Sequence, residues 1–280
     1  MNLTNDLIVD SYKILEKHFH NQFQATINEK EIKWYNVKYS HSIDVFNAMC
    51  ELIENENKLK DFNDEDKIRL KIGAMLHDVG RFYQMKNGEI QKELNHGDMG
   101  KNILINSDNF DDEATLLFIK LHDGRFKIED EPFYKSSNDE RKNFLKLGLN
   151  ATEDSDIVSN MKIMIKNNRF LTFKDIDYNI VISDEIIDAI VNKRHFNGKI
   201  LIPSAYNDLF VKLALVRLLN FDYSKKICNK IGFIKFVLNH VDKFLENSIN
   251  QNLATEVKIN DLFKKLEIVK DVLKKDGFEI

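Results

Sequence analysis

Six side chains able to hold a metal ion stand in order along the chain: His41, the adjacent pair His77-Asp78 in AMLHDVGRF, His96 in LNHGDMG, His122 in KLHDGRF and Asp156 in EDSDIVSN. Imidazole nitrogens mixed with carboxylate oxygens suit iron, manganese, cobalt or zinc, and the absence of nearby thiolates argues against a structural zinc knuckle. Such a ligand set is built for water or oxygen chemistry. A lone histidine on an apolar helix face is more often a hydrogen-bonded core residue than a ligand. That reading would here have to explain four of the chain's eight histidines, one of them, His77, followed directly by an aspartate expected to be buried. An ionised carboxylate buried without a partner is costly, so Asp78 calls for a cation beside it, and a metal supplies one.

The elements that must carry these residues read as helices. Val45, Phe46, Ala48, Met49 and Leu52 recur near helical spacing, and His41 lies one turn before Val45 on the same stripe. Ile68, Ile72, Met75, Leu76 and Val79 repeat the pattern and place His77-Asp78 at a buried helix end. After Gly80 the polar stretch from Gln84 to Asn95, with its Asn87-Gly88 turn signal, reads as a loop. His96 then opens a helix through Gly100, Ile103 and Leu104, and a helix from about Glu113 ends at His122, one turn beyond Phe118 and Ile119. Four histidines at four helix ends or faces can converge on one point.

Residues 125–150 are the most irregular part and read as a loop or lid with a short helix. Their Arg125, Lys127, Phe133, Tyr134, Lys135 and Arg141 mix cations with aromatics suited to a phosphate and a base, a mix also ordinary for a solvated loop. Helical patterns follow at 152–167, 183–192 and 204–221, then along ICNKIGFIKFVLNHVDKFLENSI as one segment, and at 260–275. The whole predicts an all-α protein, with residues 1–180 bearing the ligands and residues 181–280 forming a helical extension packed on that core. Amphipathic helices at the C-terminal end suit either a homodimer or a monomer.

Composition narrows the class. With 43% hydrophobic and 31% charged residues the chain can bury a large core, and only two prolines, Pro132 and Pro203, interrupt it, so helices can run long. A net charge of -4 without a basic cluster gives no footprint for nucleic acid. Cys50 and Cys228 form no paired motif, which suits a reducing cytoplasm. The start reads as an amphipathic helix rather than a targeting signal, and no apolar run approaches the roughly 20 residues needed to cross a bilayer. A cytoplasmic protein is expected.

The order His41, His77-Asp78, Asp156 resembles the H…HD…D signature of the HD-domain metal-dependent phosphohydrolases, over about residues 38–162. LHDVGRFYQ, NHGDMGKNIL and KLHDGRF further resemble the subgroup that carries extra histidines between the HD pair and the last aspartate. The resemblance implies an HD-domain helical bundle with additional C-terminal helices, and one or two divalent ions (iron, manganese, cobalt or zinc). It implies that His41, His77, Asp78 and Asp156 hold the first ion and His96 and His122 a second, with Asp78 bridging. Two ions roughly 3.5 to 4 Å apart activate a water for attack on a phosphate ester. The expected substrate is a small-molecule phosphomonoester or phosphodiester, a nucleotide first among them.

Arg81, one turn beyond His77, is placed to reach a bound phosphate, although a surface salt bridge is equally open. Asp123 stands where relatives often carry Asn and is either a general acid or a partner of a ligand; Asp98 is open in the same way. Near the last ligand this chain departs from the family's usual R-D-A-D-x-L-D-N: Glu153 replaces an arginine and Ser159 an aspartate. Asp154 is therefore the fallback ligand, with Asp222 a distant third. His18, His20, His195 and His240 are expected to be structural or exposed, and Trp34 to pack near the first ligand helix. Two other functions stay open: a di-iron oxygenase of the same fold, and a helical sensor that binds a metal or nucleotide without turnover.

Overall fold

The computed structural model describes residues 5–91, 94–124, 126–168, 177–195 and 204–280. Apart from one small ribbon the described elements are helices, and the fold is the all-α bundle that the sequence predicts. By internal packing the chain divides into two compact units, Met1–Ser159 and Asn160–Ile280. Among the described residues no helix is long and apolar enough to cross a membrane. Arg125 and Pro203 lie outside the described residues.

The first unit holds α1 (Asn5–Gln24), α2 (Glu29–Asn55), a one-turn α3 (Asn57–Lys60), α4 (Asp64–Leu76), α5 (His96–Asp108), α6 (Glu113–Leu121), a short α7 (Pro132–Ser136) and most of α8 (Asp139–Lys166). Local chemistry starts these helices. Asn28 caps α2 by accepting from the amides of Lys30 and Glu31, Asn63 caps α4, Asn95 caps α5 and Asp112 caps α6. Each cap therefore sets where a ligand-bearing helix begins or how its length is counted. The helices meet on a core that includes Leu15, Phe19, Tyr35, Ile72, Leu76, Val79, Phe82, Leu104 and Ile119. A fully buried side chain of this size stabilises by about 2 kcal/mol, so the core fixes the helix ends that the site uses.

Several expectations are corrected by the fold. The stretch from Gln84 to Asn95 is not only a loop: β1 (Met85–Lys86) pairs antiparallel with β2 (Glu89–Ile90), in register Met85 to Ile90. Asn87 and Gly88 both adopt positive φ, 53° and 75°, as a tight two-residue hairpin requires. The turn signal was there, but strands this short leave no period to read. The buried carboxylate of Glu31 in α2 accepts from the Gly88 amide at 2.8 Å and pins the hairpin tip.

Residues 126–150 are likewise more ordered than a lid. After a 3-10 turn, Ile128–Asp130, and α7, the long α8 begins at Asp139, so its first twelve residues are helix. Asn138 accepts from the Arg141 amide, Asp139 and Glu140 sit in the first turn, and Phe144, Leu145 and Leu149 are buried. Gly148, a poor helix former, hides this continuity in sequence. A Cβ there would come within 2.4 Å of the Phe118 ring, so glycine lets α8 lie against α6. The cations and aromatics of this stretch have local partners: Arg141 pairs with Asp66 and lies over Phe144, Lys135 donates to the Asp130 carbonyl, and Tyr134 is buried.

The second unit contains α9 (Asp184–Asn192), α10 (Ala205–Leu218), α11 (Asp222–Lys230), α12 (Phe233–Asn250) and α13 (Glu256–Lys275). The segment read as one helix from Ile227 is two, because Gly232 takes φ 65° and breaks it between α11 and α12. The last helix starts at Glu256, earlier than its apolar period shows, because Thr255 caps it. Tyr206 and Ser248 share a buried hydrogen bond of 2.7 Å between α10 and α12, and Ser248 also donates to the Tyr178 carbonyl.

Glycine makes the backbone contact on which the site depends. A Cβ on Gly80 would stand 2.0 Å from the His96 carbonyl and 2.8 Å from the Gly100 nitrogen, and one on Gly97 would stand 2.3 Å from the Lys120 carbonyl. The turn after the HD pair thus touches the start of α5, and α5 touches the end of α6. Gly80→Ala must push His96 away from Asp78, and we expect a loss of about 3 kcal/mol, the cost of forcing atoms into a packed interior. Urea denaturation of the two proteins measures it; a loss below about 1 kcal/mol would mean that the contact yields freely.

Candidate metal centre

Five separate elements deliver the candidate ligands. His41 is on the buried face of α2, His77 caps the C-terminus of α4, Asp78 follows in the turn, His96 is the first residue of α5, His122 caps α6, and Asp156 lies on α8. The structure brings all six together. Asp156 Oδ1 is 2.8 Å from His41 Nε2 and 3.9 Å from His77 Nε2, while Asp78 Oδ2 is 3.7 Å from His77 Nε2 and 4.0 Å from His41 Nε2. On the other side, Asp78 Oδ1 is 3.4 Å from His96 Nε2 and 3.6 Å from His122 Nε2, and those two nitrogens are 3.0 Å apart. Asp78 therefore turns one oxygen to each pair of imidazoles.

Two groups among the described residues have ligand atoms close enough to share an ion: His41, His77 and Asp156, and His77, Asp78 and His122. Asp154, although fully buried, belongs to neither. Asp222 is the first residue of α11, in the second unit.

The imidazoles are prepared for ligation. His77 Nδ1 donates to the Ala74 carbonyl at 2.7 Å and His122 Nδ1 to the Ile119 carbonyl at 2.8 Å, each reaching back one turn from a helix end. When such a ring is neutral, its proton is held on Nδ1 and Nε2 carries the lone pair; burial favours that state for His77, whereas Asp78 favours a second proton on His122. His77 is fully buried and its Nε2 has no hydrogen-bond partner. Such an orphaned acceptor calls for an explanation, and a metal ion at Nε2 fits it. Burial also drives the His77 pKa down to about 4, which keeps the ring neutral as ligation demands.

The remaining electrostatics follow from burial set against charge. Burial raises the Asp78 carboxyl, but the Lys38 ammonium, His77 and the Arg81 guanidinium hold it well below the ordinary carboxylate range. For Asp156 burial is again outweighed, here by the His41 hydrogen bond, and the net shift is downward. Burial, with Arg81 and His122 adding to it, lowers His96. Burial opposes the His122 proton, yet the hydrogen bond to Asp78 and its charge prevail and the pKa rises. Glu153 is pushed up to about 8 by burial and by its neighbour Asp154.

Other predicted positions fall as follows. Arg81 Nε is 3.3 Å from Asp78 Oδ1, so it reaches the centre, and its Nη1 donates to Gln84 at 2.8 Å. Asp123 Oδ2 lies 3.7 Å from His96 Nδ1, on the side of that ring away from Asp78. Asp98 is in the first turn of α5, 3.9 Å from the Lys120 ammonium. Ser159, the replacement for an aspartate, sits with Oγ 3.5 Å from His41 Nδ1. Trp34 is buried and donates to the Arg81 carbonyl. His18 is buried between Tyr83 and Asp108, 2.7 Å from each, His240 Nδ1 donates to the Phe236 carbonyl, and His20 and His195 are exposed.

Sequence reasoning missed Lys38. Its ammonium lies 2.7 Å from Asp78 Oδ2 and 5.3 Å from the centre of the Trp34 ring. The signal was its place three residues before His41, on the same face of α2. Lys38 and Arg81 also correct the argument that Asp78 needs a metal for charge balance, since the chain itself provides two cations.

Residues 39–161 match the family model described as the HD domain, and that stretch of the chain is an HD domain. HD domains form a superfamily of metal-dependent hydrolases that bind divalent ions, and the ligand groups found here lie inside the matched stretch. No curated protein and no solved structure gives a significant match to the chain.

Because Asp78 already has its cations, the fold is expected to form without a metal. Protein stripped with a chelator should keep its helical circular dichroism at 25 °C and gain thermal stability when manganese is restored. Loss of the helical signal on chelation would show that the ion, not Lys38 and Arg81, balances Asp78.

Proposed function

We propose that this HD domain is a phosphohydrolase that cleaves a small phosphomonoester or phosphodiester, with a nucleotide as the first substrate class to test. The observation that carries the reading is the carboxylate of Asp78, which turns one oxygen to His41 and His77 and the other to His96 and His122. On that arrangement His41, His77, Asp78 and Asp156 would hold one divalent ion, and His96 and His122 would serve a second beside Asp78. Iron, manganese, cobalt and zinc all accept this donor set. Bound divalent ions lower the pKa of a water and neutralise phosphoryl charge.

The chain's own residues have separate tasks. The Ala74 and Ile119 carbonyls fix the rings of His77 and His122 so that Nε2 faces inward. Arg81, a quarter exposed and braced by Gln84 and by the Trp34 bond to its carbonyl, sets a planar cation beside the centre where a phosphate oxygen can be gripped. Asp123 stands behind His96 and favours a proton on Nδ1, which leaves Nε2 as the ligand atom. The charged and polar side chains so assembled suit an anionic ester rather than an apolar substrate.

The test is hydrolysis of nucleotides and of a generic phosphodiester by protein loaded with manganese, cobalt or iron, with and without oxygen. We expect about two bound ions, turnover that needs the metal and not oxygen, and a loss of at least about a hundredfold in Asp78→Ala and His77→Ala. Asp156→Asn should lose metal where Asp154→Asn keeps it. Oxygen consumption without phosphate release would assign the site to oxygenase chemistry, and tight nucleotide binding without product would make it a sensor.

A further inference from the structure

Two protein cations share Asp78, but they are held differently. Arg81 is built in: its amide donates to the Asp78 carbonyl at 2.8 Å, its Nη1 to the buried Gln84, and its carbonyl accepts from Trp34. Lys38 is carried on a flexible four-carbon stem from α2, is more exposed than the carboxylate it touches (17% against 4%), and rests over the Trp34 ring. The ammonium does not hydrogen-bond His77, whose Nε2 has no hydrogen-bond partner. It therefore balances the charge of Asp78 without engaging the imidazole that faces the same oxygen.

That oxygen, Oδ2, is the one directed at His41 and His77. A divalent ion ligated there meets a unit positive charge hydrogen-bonded to its own ligand atom, in a buried setting where screening is weak. One cation has to give way, and Lys38, on its flexible stem, has the freedom to do so, whereas Arg81, although more exposed (25% against 17%), is braced by Gln84 and by the backbone around it. We infer that Lys38 is a displaceable counter-ion: it holds Asp78 in the metal-free protein, competes with the ion for Oδ2, and swings out when the ion binds. The alternative is that Lys38 stays and orients Asp78 for ligation. The two make opposite statements about affinity, because removing a competitor tightens metal binding whereas removing an orienting partner weakens it about 10- to 100-fold.

This inference rests on the metal centre proposed above, and the experiment separates the two. Manganese binding is measured by calorimetry on wild type, Lys38→Met and Lys38→Arg, all metal-free at the start. We expect Lys38→Met to bind roughly tenfold tighter or more, to melt lower than wild type without metal, and to gain more than wild type on adding it. Lys38→Arg, which keeps the charge, should bind like wild type. In a second arm, wild-type protein is acetylated with a water-soluble amine reagent and Lys38 is read by peptide mass: manganese should speed its modification. Should Lys38→Met not survive removal of metal, Lys38→Gln takes its place. Unchanged or weaker binding in the uncharged variant, or Lys38 no more reactive with metal than without, overturns the counter-ion reading while leaving the centre intact. Absence of manganese binding in wild type overturns both.

Discussion

Burial of the Asp78 carboxylate is the constraint around which the first unit is arranged. With 4% of its side chain exposed, this group survives as an anion only because charge and hydrogen bonding are brought to it from several directions. Lys38 comes from α2 and Arg81 from the turn after α4, while the imidazoles of His41, His77, His96 and His122 come from the ends or faces of four elements. The caps, the core contacts and the glycines at 80 and 97 all serve to bring those ends within a few ångströms of one carboxylate.

Helix ends are a sound place for such a centre. A histidine at the last turn can return its Nδ1 proton to a backbone carbonyl that has no amide to bond, so the helix gains a cap and the ring gains a fixed tautomer together. His77 and His122 both use this device, at the ends of α4 and α6. The backbone contacts at Gly80 and Gly97 then set how far apart those ends lie, with no side chain left between them to adjust the spacing.

Much of this was legible in the sequence, and the omissions have physical causes. The ligand order, the helical period around His41 and the buried end at His77 are local patterns, and the fold keeps them. Lys38 was overlooked because lysine three residues from a histidine is ordinary on a helix surface; only the tertiary approach of Asp78 gives it a purpose. The start of α8 was hidden by Gly148 and by a polar run, since its burial against Phe118 is a property of two segments and not of one. Asp154 and Asp156 differ by two positions on one helix, about 200° of rotation, and sequence alone does not say which of them faces the imidazoles. The structure turns Asp156 to His41.

The ligands are also spread in time. His41 leaves the ribosome first and Asp156 last, with α4, α5 and α6 synthesised between them. A nascent chain that has released His77, His96 and His122 but not yet α8 presents a partial set of donors, lacking the carboxylate that closes on His41. On the proposed ligand set such a chain would lack one donor, and complete coordination would wait for the helix that finishes the first unit.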